Sequence, residues 1–248
     1  MSTAQKIASG LNPSSTLAKS ADYTVLSTDP NVCLVTTAGS NRTMTLPAAS
    51  AVGGQVYRFV KVDTGAGKLI LARAGSDTMG INANLTMELW YQDNYVDIMS
   101  DGSSRWMVMN TEMFTFPDSD ISATGNPAGL STLDTWTPAI WNTGNQIVPA
   151  GTESIRMHVD VEFTSDGTTN GIGAYGRKNG SSAGQSNTVA LAWAYAQDTI
   201  ASSDMLMARS DVVVQCDINR TFEANLSRHG GGSGTAAAYI WKRGYRLG

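Results

Sequence analysis

The chain has 248 residues and a formal net charge of −4, a length that suits one large or two small domains and needs no covalent staples to build a core. Two cysteines, Cys33 and Cys216, exclude a disulfide scaffold and a four-cysteine zinc site, and two histidines, His158 and His229, exclude most histidine-rich metal chemistry. The acidic balance argues against generic nucleic-acid binding, and charged residues are only 15%, so hydroxyls and amides must keep the surface wet.

The opening MSTAQKIASG has no basic region followed by an apolar stretch, which predicts a chain made in a cytoplasm without a secretory signal. The longest nearly apolar run, Val189 to Ala196, is far short of the roughly 18–20 residues that span a bilayer, so no membrane insertion is expected. Residues 1–20 are small and polar, with Lys6 and Lys19 as their only charges; they read as an attachment arm or as a frayed terminus. Residues 21–112 then carry strand signals at close spacing: 24–26, 32–37, 42–46, 55–62, 68–72, 87–91, 95–99 and 105–109, separated by Gly, Asp and Asn turns. Residues 113–130 mix Pro, Gly, Asp and Asn without a sustained period and read as a linker.

Residues 131–248 form a second β module. Ile155, Met157, Val159, Val161 and Phe163 fall on one face of a strand, and Arg156, His158, Asp160 and Glu162 on the other. That strict period of two cannot make one apolar stripe on a helix. Val189, Leu191, Trp193 and Tyr195 alternate with Ala190, Ala192, Ala194 and Ala196, so a face of alanines would let another surface approach closely. Further strands are expected over 211–218, 221–226 and 235–243. The fold class is therefore all-β, a small β module followed by a two-sheet jelly roll.

No constellation of catalytic type stands out. Alternate side chains on one strand face are about 7 Å apart, so His158, Asp160 and Glu162 are expected on a solvated outer sheet face rather than around a metal. Asp118-Ser119-Asp120 lacks the further acids of a calcium loop. Arg228-His229-Gly230-Gly231-Gly232-Ser233-Gly234 resembles a phosphate loop only in its glycines, and reads as a flexible connection. The Gly-x-Ser-x-Gly run Gly180-Ser181-Ser182-Ala183-Gly184 is followed by the strand pattern of 189–196 and not by the helix that a nucleophile elbow needs, and no long β-helix repeat marks a carboxylate pair for glycoside cleavage. Trp136, Trp141, Trp193 and Trp241 could stack on sugar or pack the core. The closing Trp241-Lys242-Arg243-Gly244-Tyr245-Arg246 could bind an acidic glycan or a partner, or be a solvated end.

The first module resembles a β-rich repeat of bacteriophage fibre proteins. The resemblance is carried by Tyr23-Thr24-Val25-Leu26, Leu34-Val35-Thr36-Thr37, Asn41-Arg42-Thr43-Met44-Thr45-Leu46-Pro47, Gly54 to Asp63, Gly65-Ala66-Gly67-Lys68, the Ser100-Asp101-Gly102 turn and Arg105-Trp106. It is a grammar of strands and turns, and Met87 to Tyr95 departs from it in aromatic and Met content. The second module is similar, more loosely, to the trimeric jelly rolls of the tumour-necrosis-factor and complement-head type, through Ile147-Val148-Pro149-Ala150-Gly151-Thr152 and the strand from Ile155 to Phe163.

These resemblances imply a homotrimeric bacteriophage virion protein, a short fibre or spike that docks on other virion proteins through its N-terminal arm. It would attach to a host cell-surface glycan or protein through the knob, without catalysis, cofactor or metal. A capsid decoration or head-fibre protein is the alternative, and a polysaccharide depolymerase a more distant one. Three loops rich in Gly, Ser, Thr and Asn, 165–173, 179–187 and 229–235, are the expected recognition surface, with Tyr175, Arg177, Asn179, Ser181, Arg228 and His229 as receptor-binding candidates.

Overall fold

A computed structural model describes residues 16–109, 114–116, 137–140, 148–164, 170–181, 189–195, 205–230 and 235–248. The chain is all-β. It divides into two compact units: Met1–Phe114 with Pro149–Thr152 and Arg246–Gly248, and Thr115–Val148 with Glu153–Tyr245.

Among the described residues, the first unit holds ten strands: β1 (Thr16–Lys19), β2 (Tyr23–Thr24), β3 (Val32–Val35), β4 (Arg42–Thr45), β5 (Val56–Lys61), β6 (Leu69–Ala72), β7 (Thr78–Met79), β8 (Thr86–Leu89), β9 (Tyr95–Ser100) and β10 (Arg105–Val108). The chain passes back and forth between two sheets. β1, β3 and β5 stack in parallel, with Thr16 opposite Val32 and Val32 opposite Arg58. β2, β4 and β6 do the same in the second sheet, with Tyr23 opposite Met44 and Met44 opposite Leu71. Parallel neighbours need a crossover, and here each crossover is a strand of the other sheet. After this short parallel coil, β8 runs antiparallel to β6, and β9 antiparallel to β5 and β10. Thr16–Lys19, part of the expected arm, is thus a paired strand rather than a frayed end.

Alternation builds the core of this unit. Inward positions Cys33, Val35, Met44, Tyr57, Phe59, Leu69, Leu71, Val96, Ile98 and Trp106 have no exposed surface. Tyr57 packs its ring against Trp106 at 5.8 Å and Phe59 at 6.2 Å. Two later segments belong here as well. Ala150 O accepts the Glu88 N–H at 3.0 Å, beyond the edge of β6–β8. Gly151 O accepts the N–H of Gly248, whose own carbonyl accepts Asn84 Nδ2 at 2.8 Å. These contacts explain why the unit is not one contiguous stretch of sequence.

The second unit carries β11 (Phe114–Thr115, which begins at the boundary), β12 (Thr137–Ile140), β13 (Thr152–Thr164), β14 (Asn170–Lys178), β15 (Val189–Tyr195), β16 (Met205–Gln215), β17 (Thr221–Gly230) and β18 (Thr235–Leu247). Its sheets run β11-β18-β13-β16 and β12-β17-β14-β15. Numbered within the unit, that is 1-8-3-6 and 2-7-4-5, the interleaved order of an eight-stranded jelly roll built from two Greek keys. The expected alternation of β13 holds: Ile155, Met157, Val159 and Val161 have no exposed surface. Phe222, Ala224 and Ala174 are buried in the other sheet.

Two expectations are corrected. Asn170–Gly173 is strand, not loop, and pairs with β17 from Asn170 opposite Gly230 onward. Arg228, His229 and Gly230 extend β17 instead of forming a glycine loop, and Thr235 opens β18. The β14–β15 ladder carries a register shift, with consecutive residues Ala174 and Tyr175 opposite Ala192 and Ala190.

Candidate functional site

The motif that carries the fibre resemblance is used up by the fold. Lys61 shares the inward parity of Tyr57 and Phe59 on β5 and is completely buried. Its ammonium donates to Asp63 O at 2.6 Å and Gly65 O at 2.9 Å and lies 3.2 Å from Asp63 Oδ1. Asp63 also accepts the N–H groups of Thr37 and Ala38 and the Thr37 hydroxyl. Burial by itself would push the Asp63 carboxyl up, but these backbone donors, Lys61 and Thr37 together hold it well below the usual carboxylate range. A Cβ on Gly65 would sit 2.5 Å from Asp63 Oδ2 and 2.7 Å from Gly39 N, and one on Gly67 would collide with the Ser40 carbonyl. Lys-x-Asp-x-Gly-x-Gly is therefore a turn clamp, not a ligand cradle.

Neither cysteine forms a disulfide, and both are buried. Burial, helped by Asp29, pushes the Cys33 thiol up to about 12, and burial with Asp217 raises that of Cys216 as well. Neither is a nucleophile in this setting.

In the jelly roll, the six expected receptor residues fall at opposite ends of one strand pair. Asn170 lies opposite Gly230 and Lys178 opposite Phe222. At about 3.3 Å per residue, those two ends are roughly 26 Å apart. Arg228 and His229, opposite Ile172 and Gly171, stand at the end from which 165–169 and 231–234 depart. Tyr175, Arg177, Asn179 and Ser181 lie toward the other end, where β14 turns into β15. That end is tied down: Arg177 Nε pairs with Glu223, Asn179 Nδ2 donates to Asp217 Oδ2 at 2.8 Å, and Arg220 Nη1 donates to Val148 O at 2.9 Å. Tyr175 is 8% exposed, and burial raises its phenol. Among the described residues, Arg228 and His229 therefore stand apart from Arg177, Asn179 and Ser181 along the strand pair. The remainders of those loops, 165–169, 182–187 and 231–234, lie outside the described residues, as do Asp118-Ser119-Asp120, Trp136 and Trp141.

The outer face of β13 is only partly solvated, and its side chains meet one another. His158 Nδ1 lies 2.9 Å from Asp211 Oδ1, directly across on β16, and His158 Nε2 lies 3.1 Å from Asp160 Oδ1 on its own strand. Arg209, opposite Asp160, brings its Nε within 3.3 Å of the same oxygen. Asp160 is only 8% exposed. Its Oδ1 sits close to the His158 imidazole and the Arg209 guanidinium but accepts no well-directed hydrogen bond. From β18, the half-buried Trp241 brings its ring to 5.6 Å from the imidazole. The 7 Å strand spacing misleads because it separates Cα atoms; long side chains lean along the strand and meet. The rest of the closing segment is mostly buried. Lys242 is buried with its ammonium 4.7 Å from the Phe116 ring, and Tyr245 is buried against that same ring at 5.2 Å. It is a core strand, not a solvated basic end.

Among the described residues no three His, Cys, Asp or Glu side chains converge as a metal ion requires. In the His158 group each imidazole nitrogen faces a carboxylate oxygen and no shared centre. No family model and no curated protein matches this chain.

Proposed function

We propose that the chain is a surface protein of a bacteriophage virion, a short fibre or spike that attaches to the host through its jelly roll and acts by binding. The observation that carries this reading is the arrangement of the jelly roll's ends. β14 and β17 pair from Asn170 opposite Gly230 to Lys178 opposite Phe222, and the segments 165–169 and 231–234 adjoin the first of these ends. Both segments are rich in Gly, Ser and Thr, and Arg228 and His229 stand beside them at the end of β17. This narrows the receptor surface to the β13–β14 and β17–β18 connections and assigns Asn179 and Ser181 to stabilising the other end. The first unit and the residues before β1 dock on other virion proteins. A homotrimer multiplies weak contacts with a cell-surface glycan or protein through effective concentration.

The test replaces 165–169 and 231–234, singly and together, by Gly-Ser linkers of equal length, with 182–187 as the control. Light scattering on the purified proteins is expected to give three times the chain mass for all of them. Adsorption to host cells is expected to fall for the first two replacements and not for the control. A folded trimer with unchanged adsorption in all three overturns the attachment role in favour of capsid decoration, and a monomer overturns the trimer.

A further inference from the structure

The His158 group offers a different kind of surface from the loops. Three neighbouring strands set an aromatic ring, an imidazole, a guanidinium and two carboxylates on one sheet face: Trp241 from β18, His158 and Asp160 from β13, Arg209 and Asp211 from β16. Such a set is costly for a face that only meets water, because Asp160 gives up solvent without gaining a well-directed hydrogen bond. The two outermost groups remain open: the side chains of Arg209 and Asp211 are 64% and 67% exposed. A guanidinium has five donors and a carboxylate about four acceptor sites, and the contacts to Asp160 and His158 occupy one of each.

We propose that this outer sheet face binds a neutral hexopyranose, its C–H face on Trp241 and its hydroxyls between Asp211 and Arg209. An aromatic plane beside donors and acceptors matches a pyranose, which is apolar on its ring faces and polar around its rim. Asp160 holds His158 and Arg209 in place from below and is a positioning residue. The charge balance selects against acidic sugars: two carboxylates meet one guanidinium and one imidazole, so an anionic ligand meets no excess of positive charge. The inference deepens the attachment reading and rests on it for its biological use, since it names a sugar class for the host surface.

The experiment is saturation-transfer NMR on the intact protein with methyl α-D-glucopyranoside, methyl α-D-galactopyranoside and methyl α-D-mannopyranoside, and with N-acetylneuraminic acid as the anionic comparison. At least one neutral glycoside is expected to receive saturation at its ring protons, and the acid none. Trp241→Ala is expected to weaken that signal about tenfold or more, a loss of about 1.4 kcal/mol. Because Trp241 is half-buried, Asp211→Asn at the exposed position provides a second variant that keeps the fold, with an expected loss of several-fold. Transfer to none of the neutral glycosides, equal transfer in wild type and Asp211→Asn, or stronger transfer to the acid overturns the proposal. Failure here with adsorption still dependent on 165–169 and 231–234 leaves attachment standing. Sugar binding by a protein whose removal leaves adsorption intact does the reverse.

Discussion

The two units solve the same problem, burying alternate residues of short strands, in opposite ways. The jelly roll relies on long antiparallel ladders; β13 and β16 stay in register from Ser154 opposite Gln215 to Thr164 opposite Met205. The first unit has rungs of two to six residues, too short to fix register by side-chain pattern alone. It pins them at the turns with charge, through Asp63 and Lys61, and through Asp101, whose Oδ1 accepts the N–H groups of Ser103, Ser104 and Arg105. Ladder length and turn chemistry are thus interchangeable means of specifying register.

This contrast makes turn substitutions in the first unit more damaging than ion-pair substitutions in the second. The largest effect is expected from Asp63→Ala, which leaves the Lys61 ammonium buried without its carboxylate; loss of one partner of a buried pair costs about 3–5 kcal/mol. Denaturant unfolding followed by tryptophan fluorescence checks it, and a loss below about 1 kcal/mol would make the clamp ornamental. The same residue sets an acid limit. Its carboxyl lies lower in the folded chain than its unfolded value of about 3.9, so its contribution is complete well above that pH and fades as pH falls below it. Stability measured between pH 6 and pH 3 is expected to decline more steeply in wild type than in Asp63→Asn.

Gly67→Ala comes next. The added methyl meets the Ser40 backbone, which cannot rotate away as a side chain can, and about 1–3 kcal/mol is expected. In the jelly roll, Glu223→Gln keeps an acceptor for Arg177 and removes only charge, so about 0.5–1.5 kcal/mol is expected. If Glu223→Gln proves the more damaging of the two, the contrast between turn-pinned and ladder-pinned units is wrong. The smallest effect concerns the thiols. Burial of Cys33 and Cys216 predicts that neither reacts with a thiol reagent until the chain is unfolded, with reaction of the native protein as the contrary result.

The sequence is most legible where one face is apolar and the other polar. The strand from Ile155 to Phe163 was readable for that reason, and so was the strand over 95–99. β14 was hidden because Gly171, Gly173 and Gly176 carry no side chain to alternate, leaving a strand that looks like a loop. The parallel coil was hidden because its rungs recur at unequal intervals, Thr16, Val32 and then Arg58, and unequal crossovers erase a repeat. Lys61 did leave a signal, its parity with Tyr57 and Phe59, which charge led away from. The His158 group left only half of one: His158 and Asp160 were visible on a shared face, but Asp211, Arg209 and Trp241 reach it through pairing that no local pattern reveals.

The central claim, that this chain stands on a virion and meets the host with its jelly roll, is tested most directly by imaging intact particles labelled with gold-tagged antibody against residues 153–245. Label on undisrupted particles, with the same antibody blocking adsorption, is the predicted result. Label that appears only after particles are broken open, or surface label that leaves adsorption unchanged, would contradict it.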